Sequence, residues 1–98
     1  MAAEAREDEV QVRYFGQYIV ADPRICHGKL TFRGTRIMVR QVLGQVERGM
    51  GWSSIVEAWG GDVPREAIAE AVRLANEALQ LTVDESRLDA FVVERRAG

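Results

Sequence analysis

Ile19 to Val39, IVADPRICHGKLTFRGTRIMV, gathers two strand signals, two turn signals and an excess of cations into one stretch. Aromatic and β-branched residues between Tyr14 and Val20 predict a strand over about residues 17–21. Asp22-Pro23 marks a turn, because proline fixes φ and an aspartate side chain bonds the backbone just beyond it. Gly28 permits a positive φ, and Leu30-Thr31-Phe32 then alternates as a second short strand. Gly34-Thr35 interrupts that strand, and Arg36-Ile37-Met38 is expected to resume it briefly. The expectation is a small antiparallel β-hairpin or meander at the start of the fold.

Working outward, the period changes from two to that of a helix. Val39, Val42, Leu43, Val46 and Met50 form the stripe of an amphipathic helix that ends near Gly49. Ser53 or Ser54 is expected to cap a second helix, with Glu57 completing a capping box behind Ser54. Ile55, Val56 and Trp59 give that helix its buried side, and Gly60-Gly61 stops it. Asp62-Val63-Pro64 restarts a third helix, with Ile68, Ala71, Val72, Ala75 and Leu79 as its stripe to about Gln80. Close approach of the helices is the expected reason for glycine in their turns. The fold class is therefore α+β: a short N-terminal hairpin or meander followed by a three-helix, homeodomain-like helix-turn-helix bundle. Residues 1–12 are expected to be a flexible acidic N-terminus, 13–81 the folded domain and 82–98 a C-terminal partner-binding tail.

Charge is segregated along the chain. Asp22 to Arg48 carries six basic residues and two acids, a balance of +4, whereas residues 1–21 balance at −2 and residues 49–98 at −4. The formal net charge of −2 conceals this pattern, which suits one anionic partner and one that is not. With 98 residues, 47% of them hydrophobic, the composition fits one small soluble domain whose core is marginal alone. Self-association would add burial. No apolar run is long enough for a membrane helix, and the acidic start is unlike a signal peptide. The one cysteine excludes an internal disulfide. A cytoplasmic location is the expectation.

The string Asp22-Pro23, Ile25-Cys26, Gly28-Lys29, Gly34-Thr35-Arg36-Ile37, Val39, Gly49, Trp52, Ile55 and Trp59 resembles the family labelled domain of unknown function 433. The match runs from about Ile19 to Leu79. The chain departs from the family pattern at His27, where glycine is frequent, at Leu30, where proline is usual, and at Gly51, where serine often stands. Members look like VapB-type antitoxins of type II toxin–antitoxin pairs. The resemblance implies a helix-turn-helix domain that binds its own promoter DNA, forms a homodimer, and neutralises a PIN-like ribonuclease toxin through a flanking segment. A stand-alone transcriptional regulator and a protein–protein adaptor without DNA affinity are the alternatives.

Lys29, Arg33, Arg36 and Arg40 are the candidate phosphate contacts, joined by Ser53, Ser54 and Arg65 at the starts of the second and third helices. A structural role for Arg36, holding the hairpin to the helices, competes with that reading. The third helix argues back, since Glu66, Glu70 and Glu77 outnumber Arg65 and Arg73 and would repel phosphates if they faced a groove. Leu88, Phe91, Val92 and Val93 are the candidate toxin-binding residues. Cys26-His27 supplies only two of the roughly four ligands that a zinc site needs, so no metal or cofactor is expected. Trp52 and Trp59 read as core or interface anchors. No catalytic constellation assembles, and the chain is not expected to be an enzyme.

Overall fold

The computed structural model describes residues 11–84. Three strands, β1 (Arg13–Tyr14), β2 (Ile19–Ala21) and β3 (Leu30–Phe32), precede three helices, α1 (Val39–Glu47), α2 (Trp52–Ala58) and α3 (Arg65–Asp84). The strands form an antiparallel meander in the order β1-β2-β3, with Tyr14 opposite Val20 and Ile19 opposite Phe32. This is the α+β architecture expected from the sequence. β1 is an addition, and the resumed strand at Arg36–Met38 shrinks to a single bridge between Met38 and Thr31.

The core forms where the sheet meets the helical stripes. Ile19 and Phe32 from the sheet pack with Val39 and Val42 of α1, Ile55 of α2, Val63, and Ala67, Ile68 and Ala71 of α3. Burying an aliphatic or aromatic side chain of this size is worth about 1.5–3 kcal/mol, so this cluster drives the fold. Trp59 packs on its edge and donates its indole N–H to Gln45 Oε1 at 2.7 Å, tying α2 to α1.

Gly34-Thr35-Arg36-Ile37 is a turn with a specific wiring. Thr35 Oγ1 donates to the Phe32 carbonyl at 2.8 Å and accepts from the Ile37 N–H at 2.9 Å. The hydroxyl thus stands in for backbone partners at the sharp bend between β3 and α1. Gln41 Oε1 then accepts the Met38 N–H at 2.9 Å, satisfying a donor just ahead of α1. At the other end of β3, Asp22 Oδ1 accepts the Arg24 N–H at 2.9 Å, the bond anticipated for the Asp-Pro turn. The segment Cys26–Gly28 follows as a single tight turn, left-handed throughout, with φ of 50° at Cys26, 57° at His27 and 82° at Gly28.

Several local expectations need correction. Gly51, not Ser53 or Ser54, precedes the first turn of α2, and its carbonyl accepts the Ile55 N–H at 3.0 Å. Both serines therefore lie inside the first turn. Close approach does not explain glycine between the helices: a Cβ at Gly49, Gly60 or Gly61 would meet nothing within 4 Å, whereas all three adopt positive φ. Backbone geometry selects glycine there. The stripe expected on α3 is buried only at Ile68 and Ala71, and half-buried at Val72; Ala75 and Leu79 are exposed. The helix also runs to Asp84, so the expected domain boundary at 81/82 falls inside it. No glycine or proline stands near Gln80 to stop it.

Glu70 holds the β1–β2 connection to α3. Its carboxylate is 8% exposed and accepts the Gln17 N–H at 2.8 Å and the Tyr18 N–H at 2.6 Å. Gly16, at φ 97°, closes around it, and a methyl built on Gly16 would overlap the carboxylate. Glu70 therefore does not face outward as the sequence suggested.

Candidate nucleic-acid interface

All seven candidate phosphate contacts, Lys29, Arg33, Arg36, Arg40, Ser53, Ser54 and Arg65, are exposed. No ion pair among the described residues involves any of the five cations; the pairs found are Arg24–Asp22, Arg73–Glu70 and Arg73–Glu77. Arg24, counted in the basic segment, is thus neutralised by a bidentate contact, its Nε and Nη2 each 3.0 Å from the two Asp22 oxygens. The Arg24 side chain, and after it the Arg24 N–H, holds the Asp22 carboxyl below the usual carboxylate range.

The structure sorts the expected residues into groups. Arg65 and Ser53 come together where α2 and α3 begin. The Arg65 guanidinium lies over the Trp52 ring, 5.5 Å from its centroid, and Nη1 reaches Ser53 Oγ at 3.5 Å. An arginine stacked on an aromatic face keeps its outward N–H donors available while losing little freedom on binding. Ser54 is the next residue of the same turn. α3 opens here, with the Pro64 carbonyl accepting the Ala67 and Ile68 N–H groups at 2.9 and 3.1 Å, so the positive end of a long helix dipole points the same way.

Lys29 and Arg40 form a second group, on opposite walls of a shallow groove with Leu30, Val39 and Leu43. Arg33 is drawn elsewhere: Nη2 donates to the Gln17 carbonyl at 2.6 Å, and the guanidinium lies 5.6 Å from the Tyr14 ring centroid. The Arg36 side chain is exposed, and its backbone carbonyl receives the Cys26 thiol at 3.6 Å. Trp52 is the residue that sequence reasoning underused. It was read as an anchor, and it packs on the core edge, but its other face is the platform for Arg65.

On α3, Glu70 is turned inward and Glu66 and Glu77 remain exposed, so the helix is less acidic outside than its composition suggests. Among the described residues no three His, Cys, Asp or Glu side chains converge to hold a metal. No helix there is long and apolar enough to cross a membrane. The candidate toxin-binding residues Leu88, Phe91, Val92 and Val93 lie outside the described residues.

A family model described as "Protein of unknown function (DUF433)" matches residues 19–75. Comparison with curated proteins finds no match. A similar fold occurs in the X-ray crystal structure of Rv2018 from Mycobacterium tuberculosis, with a TM-score of 0.54 and 22% identity, covering 70% of this chain and 37% of that one. At that identity the likeness speaks for the fold alone, and this chain spans little more than a third of the other's length.

Proposed function

The chain belongs to the DUF433 family of proteins of unknown function, and from that premise we propose that it is the DNA-binding antitoxin of a type II toxin–antitoxin pair. Its folded domain binds promoter DNA, and its C-terminal segment neutralises a PIN-like ribonuclease by masking it. No covalent chemistry is involved. The observation that carries the DNA half is the Arg65–Trp52–Ser53 cluster at the junction of α2 and α3. In helix-turn-helix docking the first residues of the third helix approach the major groove, and a helix N-terminus favours phosphate. Here that end carries a pre-oriented guanidinium and two hydroxyls, with no carboxylate pairing the arginine among the described residues. Lys29, Arg33, Arg36 and Arg40 add to the local positive potential.

The toxin half rests on the family resemblance and on the apolar cluster Leu88, Phe91, Val92 and Val93. A protein–protein adaptor without DNA affinity is the second reading, favoured by the exposed Glu66 and Glu77 on α3.

A fluorescence-anisotropy titration with duplex from upstream of the reading frame tests the first reading. Specific binding should weaken with salt, with a log–log slope of about 0.9 per neutralised phosphate, and Arg65→Ala should weaken it further. Indifference to salt and to Arg65→Ala would favour the adaptor. For the toxin half, the full chain should suppress RNA cleavage by a PIN-like protein encoded beside it. A chain ending at Asp84 should not.

A further inference from the structure

The distal part of α3 is a helix whose apolar side has nothing beneath it. Upstream, Ala67, Ile68 and Ala71 are buried in the core. At a rotation of about 100° per residue, Ala75, Ala78, Leu79 and Leu81 continue that same face, while Asn76, Glu77, Gln80 and Asp84 lie opposite or along its edge. Yet no residue from Ala75 to Asp84 is buried, and Leu79 and Leu81 are 49% and 60% exposed. A helical stretch this short is marginal in water without tertiary packing.

Next to it lies an apolar trough. A groove of about 320 Å³ is lined by Phe15, Leu30, Leu74, Ala78 and Leu81, with Glu77 on its edge. A second, of about 350 Å³, is lined by Leu30, Val39 and Leu43 between Lys29 and Arg40. Leu30, 41% exposed, belongs to both, so the trough runs from α1 across β3 to α3. Its α1 end is rimmed by two cations that form no ion pair among the described residues.

We propose that a second copy of this chain fills the trough reciprocally. The distal α3 of each copy lies apolar side down in the trough of the other, with Glu77 and Asp84 against the other copy's Lys29 and Arg40. Charge complementarity selects this occupant. The trough has an apolar floor and a positive rim, the overhang an apolar face and a negative edge, and one two-fold axis satisfies both at once. Glu77 is available for this role because its pairing with Arg73 is long, at 3.5 Å, and solvent-exposed. Lys29 and Arg40 then meet carboxylates of the other copy rather than phosphates. The inference rests on the fold and is independent of the DNA and toxin readings.

Sedimentation velocity of the full chain over the micromolar range is the test. The unaltered chain should dimerise. Arg40→Glu and Glu77→Arg should each weaken the dimer roughly tenfold, and the two reversals combined in one chain should restore most of the affinity. Leu81→Asp should give a monomer of unchanged far-UV circular dichroism; if it loses helicity instead, the charge-reversal pair decides. A chain that stays monomeric, or a dimer in which the combined reversals give no recovery, overturns the proposal. So does a dimer indifferent to Leu81→Asp and to both reversals.

Discussion

Glu70 and Arg65 belong to the same helix, and the fold treats them in opposite ways. Around Glu70 the β1–β2 connection closes down: both carboxylate oxygens are used by backbone N–H groups, and Gly16 leaves no room beside them. Around Arg65 the polar groups stay exposed, steadied by an aromatic ring and a long hydroxyl contact. Both ends carry charge. What separates them is whether the protein itself supplies the partner. A charge already answered from within contributes to stability, while one held in place but unanswered is left for a ligand.

Substitutions can break or sharpen this contrast, beginning at the closed end. Glu70→Ala leaves two N–H groups without their charged acceptor and should cost about 3 kcal/mol, read from the urea midpoint. That is a large share of what a domain of this size has in total. Thr35→Val removes both bonds of the β3–α1 turn and should cost about 1–2 kcal/mol, whereas Thr35→Ser should recover part of it. The Asp22–Arg24 pair gives a smaller, pH-dependent effect. Because the folded carboxyl titrates below its ordinary value of about 3.9, the stabilisation is fully present above that pH. It is lost as the pH falls through the lowered value. Asp22→Asn should therefore flatten the acid limb of a stability-against-pH curve below about pH 4. At the open end, Arg65→Ala should move stability by no more than about 0.5 kcal/mol while weakening DNA binding. A large loss of stability from Arg65→Ala would erase the distinction between the two ends.

Much of the fold is legible in the sequence because it follows from periodicity and turn chemistry. The α1 stripe from Val39 to Val46, the Asp22-Pro23 turn and the glycine breaks between helices all stand where those signals place them. The misses have physical causes. β1 is two residues long, too short to show an alternation. The left-handed turn at Cys26 and His27 uses residue types that ordinarily avoid positive φ, so no composition rule announces it. The partners of Glu70 are backbone N–H groups more than fifty positions away, and they carry no side-chain signature. For the candidate interface, the exposure of its seven residues was readable from their polarity. Their grouping was not, because Trp52 and Arg65 meet only once α2 and α3 have packed.

That separation along the chain has a kinetic consequence. The bond from Gln17 to Glu70 spans 53 positions, so it closes one of the longest loops in the described domain, whereas the meander and the turns between helices join near neighbours. Loop-closure entropy delays such a contact until the barrier has been crossed. Glu70→Ala should accordingly steepen the rate of opening and leave the rate of folding nearly untouched, shifting one arm of a chevron plot alone. The carboxylate then works as a latch on a finished structure, governing how long the domain stays shut rather than how quickly it assembles.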